Sequence, residues 1–249
     1  EEVPEETPEM LDLRTRLEDR MRRAKAAEAW DKQRAAGFEA TIDGMRALQA
    51  GDLVKAEEFL SAAVGATALE AFETGLTLAR AKVRYLRKDF ARAMDDLRRV
   101  AEIRSGQAEV YKDLAMAATG LAMEKGRAGE DPHDLLQAAV DDLGRALERN
   151  PRYRDAWNDR GVARLKLARL VANRKQDALP LLCQAIEDCD RALEVDPGFH
   201  RARINRGSVW LARGGLESAR KLDARDSLAR AAADYSAALE ADPENDPVR

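Results

Sequence analysis

An all-α chain built from repeated helical hairpins is what the 249 residues predict, on three observations. Three segments close alike, Arg145-Ala146-Leu147-Glu148-Arg149-Asn150-Pro151, Arg191-Ala192-Leu193-Glu194-Val195-Asp196-Pro197 and Ala237-Ala238-Leu239-Glu240-Ala241-Asp242-Pro243, with their prolines 46 residues apart. The period reaches upstream, since Tyr111 and Ala115, Trp157 and Gly161, and Arg203 and Gly207 are related by the same 46. Between these marks apolar residues recur at helical spacing in two runs per period, and a proline that cannot extend a helix divides one period from the next.

The N-terminal stretch comes first. Residues 1–7 read as an acidic, disordered tail rich in Glu. A long helix is expected over 8–36, with Thr7 as its cap and Met10, Leu13, Leu17, Met21, Ala24 and Trp30 as a broken apolar stripe that packs on the first hairpin. A dimerising coiled coil is the rival reading, although the stripe lacks sustained heptads.

Two hairpins of ordinary length are expected over 37–107. Gly51-Asp52-Leu53-Val54-Lys55-Ala56 and Lys88-Asp89-Phe90-Ala91-Arg92-Ala93 have the look of turns between paired helices and lie 37 apart. Three longer hairpins occupy 108–244, leaving 245–249 as a short tail. In two of them the second helix is expected near an Asp that caps and a Pro that opens it, at Asp131-Pro132 and at Asp177 with Pro180.

These residues resemble the tetratricopeptide repeat, a helix-turn-helix unit of about 34 residues with small residues where its helices meet. Trp157, Gly161, Ala185, Cys189, Ala192 and Pro197 match its pattern in the fourth hairpin. Gly207, Trp210, Ala231, Tyr235, Ala238 and Pro243 do so in the fifth, and Tyr111, Ala115, Ala139, Leu143, Ala146 and Pro151 in the third. The match is looser upstream, on Gly44, Ala56, Leu60 and Ala63, then Ala81, Ala93 and Leu97. The resemblance implies a right-handed superhelical solenoid of about five hairpins behind the N-terminal helix. A period of 46 exceeds the family's. Extended helices are the expected cause; a flexible insertion at Gly126-Arg127-Ala128-Gly129 is the alternative.

Nothing in the sequence favours catalysis. The two histidines, His133 and His200, sit in expected turns outside any nucleophile or metal motif, and no phosphate-cradling glycine motif occurs. No metal or cofactor is expected. Carboxylates such as Asp141-Asp142, Asp188 and Asp190 alternate with Arg and read as solvated faces. Cys183 and Cys189, six apart on one helix, read as packing residues rather than a disulfide. A net charge of −4 disfavours nucleic acid, and no apolar run is long enough to span a membrane. The cytoplasm is favoured by the lack of a targeting segment and of a disulfide framework, and the first residue, Glu1, reads as the mark of excision or processing.

What remains is binding. The resemblance implies that the first helices of successive hairpins line a concave groove, which places Met45, Leu48, Lys82, Tyr85, Lys112, Met116, Asn158, Leu165, Lys166, Arg201, Ile204, Asn205 and Ser208 near it. Such a mixture suits a peptide or partner helix, so the expected function is a non-catalytic protein-interaction scaffold. Chaperone-binding relatives hold a terminal carboxylate with a Lys and Asn clamp; here Lys112, Met116, Asp159, Arg201 and Asn205 occupy those places, and Met116 and Asp159 break it. Two other readings stay open: a regulatory region of a larger bacterial enzyme such as a Ser/Thr kinase, to which similar arrays are attached, and self-assembly through the last hairpin or the N-terminal helix.

Overall fold

The computed structural model describes residues 8–25, 32–66 and 70–241. The expected tails, Trp30 and Pro243 lie outside the described residues. Among the described residues all regular structure is helical. The chain divides into two compact units, Glu1–Ser105 and Gly106–Arg249.

The first unit contains α1(Pro8–Lys25), α2(Lys32–Gln49), α3(Leu53–Ala66), α4(Glu70–Leu86) and α5(Phe90–Ile103). Helices α2 and α3 form one hairpin, α4 and α5 the next, and α1 lies on α2. The expected break at residue 36 is not there: residues 32–36 belong to the helix that continues to Gln49. Gly37 is buried inside that helix, and Thr41 Oγ1 donates to the Gly37 carbonyl at 2.8 Å, so nothing at this point stops the helical ladder. Leu60, Ala63, Leu76 and Val83 make the core, and each buried Leu or Val contributes roughly 1.5–3 kcal/mol. Leu60 fits because Gly44 faces it; a Cβ there would stand 2.9 Å from Leu60 Cγ.

The second unit is three hairpins, α6(Ala108–Arg127) with α7(His133–Arg149), α8(Arg154–Asn173) with α9(Leu179–Val195), and α10(His200–Ala219) with α11(Arg225–Ala241). Each first helix has 20 residues and each second helix 17, separated by a five-residue turn; four-residue links join the hairpins. The period of 46 is therefore mostly helix. No insertion opens at Gly126-Arg127-Ala128-Gly129, because Gly126 and Arg127 close α6 and the next two residues turn the chain tightly.

That turn recurs. Gly129, Lys175 and Lys221, one period apart, all have positive φ. In each case the following amide donates back into the preceding helix, Glu130 to Lys125, Gln176 to Val171 and Leu222 to Glu217, at 2.9–3.1 Å. This is a left-handed helix stop that satisfies carbonyls the helix end leaves unpaired. Gly51 and Lys88 do the same in the first unit, through Asp52 to Ala47 and Asp89 to Arg84.

The turn then hands over to an aspartate. Asp131, Asp177 and Asp223 accept the amides of His133, Leu179 and Arg225 at 3.1–3.2 Å. Asp131 does not sit at the cap with Pro132 at the first helical position, as the sequence suggested: Pro132 is the cap, and α7 begins one residue later. Each carboxylate also meets an arginine, Arg174, Arg220 and Arg225 in turn, the first two belonging to the following hairpin. The His133 amide lowers the Asp131 pKa most, whereas the guanidiniums of Arg220 and Arg225 do so for Asp177 and Asp223. All three carboxyls thus titrate below their ordinary value. A group lowered on folding contributes stability above its unfolded pKa and loses it as pH falls through the folded one. The thermal midpoint should accordingly drop as pH is lowered below about 4, and Asp177→Asn, which keeps the backbone acceptor, should make that slope shallower in circular dichroism melts.

Other carboxylates contradict the solvated-face reading. Asp96, Asp142, Asp188 and Asp234, each 46 from the next, are buried on their second helices. Asp188 accepts from Arg160 Nη2 at 2.7 Å and from Arg164; Asp96 accepts from Arg80 at 2.6 Å and Arg84 at 2.8 Å; Asp234 accepts from Arg206 at 2.6 Å. Sequence alternation with Arg does reflect pairing, but Asp96, Asp188 and Asp234 tie the two helices of one hairpin, whereas Asp142 meets Arg145 of its own helix at 3.0 Å. Burial pushes the Asp188 carboxyl up, and the two guanidiniums oppose that shift.

Candidate partner-binding surface

In the second unit α8 packs against both α6 and α10, so the three first helices stand side by side. Their shared face carries a run of paired polar groups. Arg201 on α10 reaches Asp155 at 2.6 Å and Asp159 at 4.0 Å on α8. Asn205 donates to Asn158 Oδ1 at 2.7 Å, and Asn158 donates to Asp159 at 2.9 Å. On α6, Lys112 lies 3.7 Å from Asp113.

Tyr153 sits at the foot of α8, half-buried. Its hydroxyl is pushed well above the ordinary tyrosine value, first by burial and then by Asp113, Glu109, Asp155 and Asp159. Burial also raises the Asp159 carboxyl. These four carboxylates belong to α6 and α8; Lys112 of α6 and Arg201 of α10 are the cations beside them.

The residues expected at a groove do not fall together. Lys112, Asn158, Arg201 and Asn205 belong to this polar run; Met116 lies half-buried on α6, and Ile204 is exposed on α10. Ser208 is taken up by the Ile204 carbonyl and the Tyr235 hydroxyl at 3.0 Å, and Lys166 meets Met123 Sδ at 3.6 Å. Met45, Leu48 and Leu165 are not surface groups at all: Met45 is 1% exposed and the two leucines pack in the cores of their hairpins. Counting along a helix cannot separate the ligand-facing edge of a first helix from the edge that meets its own partner. Lys82 and Tyr85 are half-buried on α4 of the first unit, with the Tyr85 ring edge-on to Phe90 at 5.3 Å.

The contributions of Tyr153, Asp113 and Asp155 did not emerge from the sequence. A signal existed, because Tyr153 and Phe199 are one period apart at the same link between hairpins. Among the described residues no group of three or more His, Cys, Asp or Glu side chains is arranged to hold a metal ion, and no helix is long and apolar enough to cross a membrane. Cys189 is buried against Gly161 and its thiol is pushed up to about 12 by burial, as a packing residue requires.

No protein-family model matches the chain, and no curated protein does. Solved structures do. MamA residues 41-end from Desulfovibrio magneticus RS-1 superposes with a TM-score of 0.62 at 14% identity, over 85% of this chain and 97% of that one. YrrB, described as a TPR protein with an unusual peptide-binding site, gives 0.53 at 16% identity over 81% and 84%. TTC0263, a TPR protein of Thermus thermophilus, gives 0.54 at 18% identity over 81% and 89%. The fold is the tetratricopeptide-repeat fold. Within it, the second unit stands out by its period of 46, and the long tetratricopeptide helices extend the face on which the polar run lies.

Proposed function

We propose that this chain is a non-catalytic protein-interaction scaffold, and that the shared face of α6, α8 and α10 holds an extended segment of a partner carrying lysine or arginine. The observation that carries this reading is that the carboxylates of this face already take cationic side chains, Asp155 and Asp159 that of Arg201 and Asp113 that of Lys112. A partner's cation placed there extends the pairing that Arg201 and Lys112 already make and can stack on the ring of Tyr153. Asn205, half-buried and held by the buried Asn158, offers an amide carbonyl of the kind that orients a peptide backbone. Broken clamp positions at Met116 and Asp159 argue against a partner presented through its own carboxylates. The peptide-binding site named for YrrB supports the class of function by fold alone.

The test is fluorescence anisotropy with two labelled peptides of about 12 residues, one rich in Lys and Arg and one rich in Glu. The basic peptide should bind, with affinity falling as salt rises. Asp155→Asn with Asp159→Asn should weaken it by about tenfold or more, since two charge-assisted contacts are lost. Equal binding of both peptides, or indifference to the double substitution, would sink the proposal.

A further inference from the structure

The last three hairpins repeat in strict register: α6, α8 and α10 begin at residues 108, 154 and 200, one period of 46 apart. A residue on one first helix therefore holds the same place in its hairpin as the residue one period further on. Successive junctions between hairpins are built on equivalent positions.

At the junction of the fourth and fifth hairpins an arginine is held on two sides. Arg201 reaches Asp155 at 2.6 Å and Asp159 at 4.0 Å on the preceding first helix, and its guanidinium lies over the Phe199 ring, 5.2 Å from the centroid. Arg154 covers the same ring at 4.8 Å. Bonding to carboxylates while stacking on an aromatic face suits a planar guanidinium better than a compact ammonium.

One period earlier the same setting recurs with its arginines replaced. Glu109 and Asp113 stand on α6 where Asp155 and Asp159 stand on α8, and Tyr153 stands where Phe199 does. The place of Arg201, however, is taken by Asp155, and that of Arg154 by the small Ala108. Tyr153 is half-buried, and it lies close enough to Asp113 and Glu109 for both to help hold its hydroxyl up. Glu109 is exposed, whereas Asp113 meets Lys112 of its own helix at 3.7 Å. An arriving guanidinium thus finds its main carboxylate in Glu109, as Arg201 finds its own in Asp155.

We propose that an arginine of the bound partner segment takes, at this junction, the place that Arg201 takes at the next: its guanidinium stacks on Tyr153 and bonds to Glu109 and Asp113. This rests on the scaffold reading proposed above and narrows it, from lysine or arginine anywhere on the face to one arginine at one ring.

Fluorescence anisotropy with two labelled peptides of about 12 residues tests it, the two being identical except that one has arginine and the other lysine at every basic position. The arginine peptide should bind about fivefold tighter. Tyr153→Leu should erase that ratio, and Tyr153→Phe should keep it, because the ring and not the hydroxyl does the stacking. Were Tyr153 only a support for the fold, Tyr153→Leu would weaken both peptides alike and leave the ratio unchanged. A second measurement needs no peptide. Asp155→Arg writes the arginine into the chain itself, so Glu109→Gln should lower the thermal midpoint more in that background than in the parent chain. Equal affinity for the two peptides, with binding still dependent on Asp155 and Asp159, would overturn this inference and leave the broader reading standing; failure of both peptides to bind would end both. A preference that survives Tyr153→Leu, or the absence of coupling between Asp155→Arg and Glu109→Gln, would also overturn it.

Discussion

Removing the carboxylate of Asp188 by Asp188→Ala is expected to cost the second unit about 3–5 kcal/mol, the range for a buried pair stripped of one partner. Asp188 is enclosed on α9 and accepts from Arg160 and Arg164 on α8, whose own side chains are largely shielded from water. Without it two guanidiniums stay where they were, repelling each other and deprived of the acceptor that balanced their desolvation. The Nε of Arg164 already lacks a partner, so this site has no spare acceptor to offer. Urea denaturation followed by circular dichroism reads the loss directly. The matching change in the first unit, Asp96→Ala, strands Arg80 but leaves Arg84 its bridge to Glu57, so a smaller loss is expected there. A cost below about 1 kcal/mol for Asp188→Ala would place these pairs with ordinary surface bridges and refute a buried, structural role for them.

The second large effect is expected at Gly161. A Cβ at this position would lie 3.0 Å from the carbonyl oxygen of Ala185 and 3.0 Å from the sulfur of Cys189, so α8 and α9 approach through a gap that fits only hydrogen. The backbone oxygen cannot swing aside as a side chain would. Gly161→Leu should therefore destabilise by about 3 kcal/mol, the upper part of the range for overpacking, despite the better helix propensity of leucine. Gly215, also inside a first helix, has nothing within 4 Å of the same construction. Gly215→Ala should stabilise by about 0.5–1 kcal/mol, since there the propensity term acts alone. Thermal melts of the two variants should move in opposite directions; a shared direction would mean that helix propensity, not the close approach, governs Gly161.

The contrast between these glycines shows what was legible in the sequence. Gly161 and Gly207 could be read as contact points because the 46-residue period repeats them with their small or flat partners, and the structure sets Gly207 against the ring of Tyr235. Periodicity likewise located the closing prolines and the hairpins themselves. It failed at Lys175 and Lys221, whose left-handed backbone is dictated by the geometry of the turn and not by residue type; only Gly129 advertises it. Asp188 was misread for a related reason. Alternation of Asp and Arg along one helix looks the same whether the arginine that matters lies on that helix or across the hairpin, and only packing decides between them. The candidate surface was read in half: Lys112, Asn158, Arg201 and Asn205 follow from the phase of the first helices, whereas Tyr153 acts through carboxylates drawn from two helices.

The repeated turns have a consequence for how the chain folds. In the second unit the described side-chain hydrogen bonds reach at most 47 residues along the sequence, from Asn205 to Asn158, so each hairpin is closed by itself and by its immediate neighbour. Chain ends never have to find each other. Loop-closure entropy stays small, and folding can begin at any hairpin and spread outward. The slow search that burdens folds built from distant segments is absent, and α8 and α9, which contact helices of both other hairpins of the unit, should open last.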